Sequence, residues 1–287
     1  MKAYYWDQVL VWNQESWVKK DLLFGQERFY PPSFKHHFTI REITSSHFFL
    51  TPGKVYTDLE FPFSDQKKRF MHARRYLYRG ASLVIAIYPL PVEKNIWKWH
   101  FQQYIQALSD IPIDYTVVPK INIKFLTQEM IRFFSLQKIP FIAVWADSEE
   151  DLPEKWEWLY QEQKLFRIPF AVFQDESQDM LKAFLKDCQF LLLSDDLSFF
   201  PLSRSSLIQT GIAPRKGDLN PNGLTDFNLY EMKYKHIETD SDKVFFHKIS
   251  PYITIMRGNM IKLKQTVDDR KGAGQFFKIS LPQHFQL

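Results

Sequence analysis

Short runs of alternating polar and apolar residues open the chain at 4–11, 17–24 and 38–43, and this period-two pattern predicts small antiparallel strands up to about Leu50. From Pro52 to about Ser198 the rhythm changes. Apolar runs at 55–61, 83–88, 115–121, 141–146, 170–174 and 190–194 now alternate with amphipathic stretches at 64–78, 96–108, 128–136, 153–163 and 178–187. That alternation predicts βα units around a parallel sheet of about six strands. After a helix over 204–210, the segment from Gly217 to Ile279 returns to short strands and turns. Each β-rich end is too short to fold alone, so the two are expected to close on each other beside the α/β centre.

Composition alters this picture little. Hydrophobic residues make up 45% and charged residues 24% of 287 residues, ordinary for a globular chain that can bury a sizeable core. The aromatic share, 17%, is high enough to ask whether the rings fill a core or cover an interface, and core filling is the first expectation. A net charge of +4 does not imply an anionic partner. The basic stretch Lys67, Lys68, Arg69, Arg74, Arg75 and Arg79 reads as the solvated face of a helix whose other side carries Phe70, Ala73 and Leu77. Neither nucleic acid nor membrane is therefore expected as a partner. A lone Cys188 excludes a disulfide framework and a cysteine-based zinc site, and it reads as a small core residue. With no signal-peptide layout and no apolar run of membrane-spanning length, cytoplasm is the expected location.

Candidate chemistry is sparse. There is no Gly-x-Ser-x-Gly elbow, no Gly-x-Gly-x-x-Gly turn and no Walker pattern. None of the eight histidines falls at the end of an expected sheet strand: His36 and His37 read as neighbours in a β segment, His72 and His100 as helical, and His47, His236, His247 and His284 as parts of the flanking β regions or tail.

Several segments resemble, in shared order, the dihydroorotase, hydantoinase and allantoinase branch of the amidohydrolase superfamily. Pro52, Gly53 and Val55 match the approach to that family's first barrel strand, and Arg79-Gly80-Ala81-Ser82 stands where the family has Gly-Gly-x-Thr. Pro214, Lys216, Gly217, Gly223 and Asp226 match the stretch that leaves the barrel. Arg257, Gly258 and Gly272-Ala273-Gly274-Gln275-Phe276 match the closing strands. The likeness is patchy and strongest at the two ends.

The resemblance implies a dinuclear metal site at the C-terminal rim of a (β/α) barrel, where ligands activate water and polarise a carbonyl. In that family, strand one supplies His-x-His, strand four a carboxylated lysine, strands five and six one histidine each, and strand eight an aspartate base. Aligned on it, this chain has Asp58 and Glu60 for the first pair, Ala143 for the lysine and Phe173 for the strand-five histidine. Between Phe173 and Leu191 there is room for one helix, whereas a full βα crossover needs about 30 residues, so two βα units are expected to be missing. Asp195 aligns with the catalytic aspartate, and Asp196 replaces the histidine beside it. Pro62 or its neighbour stands where the family's substrate-binding Arg would be, and Pro89 or Leu90 where its Asn would be.

These readings predict an incomplete, about six-stranded TIM-like barrel over 51–213 with a small composite β-sandwich from 1–50 and 214–287. The expected function is that of a pseudoenzyme, with no catalytic residue, metal or cofactor, acting through a homodimer, an intact relative or a ligand. Two alternatives remain open. In one, Asp58, Glu60, Asp175, Glu176, Asp195 and Asp196 converge as a carboxylate rim for a hard cation and hydrolysis of altered chemistry. In the other, the old pocket binds a cyclic ureide or pyrimidine without catalysis.

Overall fold

The computed structural model describes residues 2–14, 16–44, 47–91, 96–234 and 249–279. Two sheets organise them. The first has nine strands and draws on both ends of the chain: β1 (Lys2–Trp12), β2 (Trp17–Phe24), β3 (Phe29–Tyr30), β4 (Thr39–Ile43) and β5 (Phe48–Pro52) from one, and β11 (Phe227–Glu231), β12 (Ile253–Met256), β13 (Asn259–Leu263) and β14 (Thr266–Val267) from the other. The halves meet where β5 pairs antiparallel with β11, from Pro52 opposite Phe227 to Phe48 opposite Glu231. The sequence predicts a composite β-sandwich from the two chain ends; hydrogen bonding links all nine strands, with β1 and β5 meeting at the single pair Val11 and Leu50.

The second sheet is parallel, in the order β10-β9-β8-β7-β6. Its strands are β6 (Lys54–Thr57), β7 (Ala81–Pro89), β8 (Tyr115–Asn122), β9 (Ile142–Trp145) and β10 (Phe170–Val172). The crossover helices are α1 (Arg69–Tyr78), α2 (Trp97–Ala107), α3 (Gln128–Leu136) and α4 (Glu157–Phe166), followed by α5 (Asp179–Asp187) and α6 (Arg204–Gln209). Their starts and buried faces follow from local chemistry. Thr127 caps α3 by accepting from the Met130 amide, and Met130, Ile131 and Phe134 recur at helical spacing on its buried side. Leu181 and Leu185 do the same for α5.

Alternation along β7 assigns the two faces of this sheet. Val84 and Ala86 pack among the helices, as does Ala81 ahead of a register shift in the pairing with β6. Leu83, Ile85 and Ile87 face inward with Val55, Val118, Phe141, Ala143 and Ala171. Leu207, Ile212, Phe277 and Ile279 complete this inner cluster, the last two from a C-terminal segment that bonds to Tyr115 and Lys138.

A sixth regular strand over 190–194 is absent among the described residues; the segment after α5 runs beside β10 through single bridges, Phe170 with Leu192 and Phe173 with Leu197. Its Leu193 amide donates to Phe170 at 2.8 Å and its Leu197 amide to Val172 at 2.8 Å, while farther on the Leu202 amide donates to Val55 of β6 at 2.9 Å. No described helix is long and apolar enough to cross a membrane.

Candidate functional site

The positions aligned with metal ligands part company in space. Ala143 and Phe173 face the same inner cluster, where neither offers a donor atom. Asp58 lies just past β6 and turns to the helix side: its carboxylate accepts the Phe63 and Ile87 amides, each at 2.8 Å, and its charge acts on Tyr76 of α1 and Tyr104 of α2. Burial raises the Asp58 pKa to about 7, against the pull of those two amides. Glu60 leaves the sheet altogether and holds Arg79 in a two-pronged pair at 2.5 and 2.8 Å.

The other expected rim carboxylates are occupied locally. Asp175 caps a short turn through the Ser177 amide at 3.0 Å, and Asp195 accepts the Ser203 amide at 2.6 Å. Asp196 pairs with Lys182 at 2.5 Å, and Glu176 is exposed. These six do not gather around one point: Asp58, Glu60, Asp175, Asp195 and Asp196 are each held by a different donor, and Glu176 is exposed. Among the described residues no group of three His, Cys, Asp or Glu is placed to hold a metal. The donor chemistry does not fit a dinuclear centre.

Histidine placement differs from the sequence reading at one point. His36 and His37 sit in a 3-10 turn, Pro32–His37, because Pro31 and Pro32 preset the backbone there. His72 is buried in α1 with its ring Nδ1 2.8 Å from the Pro62 carbonyl oxygen. His236, His247 and His284 lie outside the described residues. Arg69 also departs from the solvated face expected of it, since it is buried and donates to the carbonyls of Phe63 and Ala107.

One residue at the inner rim escaped the sequence reading. Lys120 of β8 shares strand parity with the inward Val118, and its ammonium lies 4.6 Å from the Phe173 ring centroid and 5.5 Å from that of Trp145. All three side chains are half-buried. A cation between two rings is held by their negative faces, and no carboxylate lies within ion-pair distance of it among the described residues. The available signal was the Lys in the apolar run 115–121, read there as part of a strand.

The family-like motifs at the chain ends have a different destination. Lys216 is fully buried, 2.5 Å from Asp226 and 2.9 Å from Asp114, and it donates to the Ser82 carbonyl at 3.1 Å. Burial works against its ammonium, but the two carboxylates outweigh that and hold its pKa above the ordinary lysine value. Asp226 also accepts the Arg257 amide at 2.7 Å, and the Arg257 guanidinium reaches Asp114 at 3.2 Å. Gly258 follows with φ +71, where a Cβ would stand 1.6 Å from the Gln26 carbonyl oxygen, so only glycine fits the turn. Gly80, at φ +84, leaves the same kind of room for Asn228. These residues weld the nine-stranded sheet to the parallel one.

No family profile and no curated protein sequence matches the chain. Solved structures do. A dihydropyrimidinase from Brevibacillus agri superposes with a TM-score of 0.61 at 11% identity, covering 97% of this chain and 99% of the other. A D-hydantoinase from Thermus sp. gives 0.59 at 11%, over 98% and 100%. An L-hydantoinase from Arthrobacter aurescens gives 0.58 at 13%, over 96% and 99%. Together with the parallel half-barrel and its attached mixed sheet, these superpositions show that the chain has the fold of the hydantoinases and dihydropyrimidinases.

Proposed function

We propose that this protein is an amidohydrolase-like pseudoenzyme that acts by binding and not by metal-dependent hydrolysis. One observation carries the reading: Ala143 and Phe173, aligned with two ligand positions, face a packed apolar interior that offers no donor for a metal ion. The carboxylates that could compensate are tied to backbone amides or to cations elsewhere. A hydrolase of altered chemistry would need at least three of them around one point.

On this reading the barrel is a shortened one. Five strands and the irregular segment 191–202 would close it, with that segment bonded on one side to β10 and on the other to β6. Asp58, Glu60, Ala143, Phe173, Asp195 and Asp196 are then vestigial positions of the former centre. Lys120 between Phe173 and Trp145 favours a ligand-binding variant of the same reading, because a half-buried cation framed by rings suits an anionic or carbonyl-rich heterocycle. The proposed setting is cytoplasmic, as a homodimer or beside an intact relative.

A thermal-shift screen of cyclic ureides and pyrimidines against the purified chain, with hydrolysis of the same compounds followed in parallel, tests this. The expected result is stabilisation by a subset without turnover, since a ligand held by the native state raises its midpoint. Turnover that depends on added zinc or manganese would overturn it.

A further inference from the structure

Away from the sheet interior, a cavity of about 310 Å³ opens between the C-terminal end of α1 and the strands β11 to β13. Tyr78, Glu231, Pro251, Tyr252, Lys262 and Lys264 line it. Lys262 is the unusual member. Its side chain is buried, its ammonium donates to the Pro251 carbonyl, and it sits 5.0 Å from the Tyr78 ring centroid. An ammonium carries three donors, and a buried one without a negative partner is costly. No carboxylate lies within 4 Å of Lys262 among the described residues, and Glu231 on the same wall is paired with Lys233. Burial accordingly lowers the Lys262 pKa to about 8. The charged and titratable groups around it are Tyr78 at the end of α1, Glu231, Tyr252 and Lys264, with Lys54 of β6 near enough to feel its charge.

The remaining walls restrict what could supply the missing negative charge. Lys264 lies 5.6 Å from the Tyr252 ring centroid, so two cations and two rings frame the space. Glu231 opposes a second negative charge. A volume near 300 Å³ is at the small end of ligand pockets. We propose that this cavity is a binding site for a small monocarboxylate with a flat apolar body, its carboxylate set against Lys262 and Lys264 and its body between Tyr78 and Tyr252. The site is independent of any chemistry inside the parallel sheet.

Benzoate is a suitable probe for calorimetric titration of the full chain at pH 6.5. The expected result is saturable one-to-one binding, weakened at least tenfold by Lys262→Met and several-fold by Lys264→Gln. Methionine keeps the length of the buried stem, so the first variant is expected to fold. Should it not, reductive ¹³C-methylation of the native chain reports the Lys262 titration directly, and benzoate is expected to move that midpoint upward. Absence of saturable heat, unchanged affinity in folded Lys262→Met, or a midpoint that benzoate does not move would each overturn the site. Inorganic phosphate binding as tightly as benzoate would overturn the assignment to monocarboxylates.

Discussion

The inner face of the parallel sheet and the seam between the two sheets treat charge in opposite ways. A metal-dependent barrel concentrates donors inside, at the ends of its strands. Here that interior is Leu, Ile, Val, Phe and Ala, with Lys120 at its rim and Phe277 and Ile279 covering one side. Buried charge is found at the seam instead, where Lys216 lies 2.5 Å from Asp226 and 2.9 Å from Asp114, and Arg257 reaches Asp114 at 3.2 Å. The same sequence motifs that signal the fold family therefore report on architecture, and they remain intact where the donors of the reaction are missing. A motif match and a catalytic match are separate observations in this chain.

The seam is where substitution should cost most. Lys216→Ala leaves Asp114 and Asp226 buried side by side and is expected to destabilise the fold by about 3–5 kcal/mol, read from urea unfolding. A loss under about 1 kcal/mol would show that the network is ornamental. Within the apolar interior, Ala143→Lys restores the residue type that the family uses, and both overpacking and an unpaired ammonium should then destabilise by several kcal/mol. Stabilisation of that variant by zinc would contradict the apolar reading of the interior.

Acidity gives a subtler contrast. Asp58 has its folded pKa raised to about 7, above the unfolded value near 3.9, so the native state holds the extra proton and this group's contribution falls as pH rises from about 4 to 7. Lys54 has its folded pKa lowered to about 7 by burial, then by Arg79 and Lys262, so its contribution rises from about pH 7 towards 10. Melting midpoints should accordingly show a shallow minimum near neutrality. Lys262, lowered to about 8, adds to that rise, so Lys54→Met is expected to shrink it and move its onset from about pH 7 to about pH 8, and an onset that does not move would assign the effect elsewhere. The smallest effect belongs to Asp196, whose pair with Lys182 is partly exposed: Asp196→Ala should change stability by less than about 1 kcal/mol.

Local pattern was legible where one element buries one face. The run 128–136 is read as a helix from its period and is α3 with the same bounds, and the run 115–121 is β8 to within one residue. The run 190–194 looks like a strand but forms only single bridges, because Asp195 and Ser203 draw the backbone into a local turn ahead of α6. Arg69 shows why charge runs mislead: its acceptors are carbonyls of Phe63 and Ala107, and no nearby residue type announces them. The turn of Asp58 to the helix side is equally hidden from sequence, since the Ile87 amide that holds it is 29 residues away. Lys120 and Lys262 became visible as sites only when β8 and β13 brought aromatic rings from distant segments over them.

Metal analysis of the native chain addresses the central claim most directly. Protein purified without chelator, and again after incubation with zinc or manganese, is expected to carry far less than one metal ion per chain and to leave hydantoin and dihydrouracil unhydrolysed. Two tightly held ions per chain, with ring opening that disappears on chelation and returns on reloading, would contradict it.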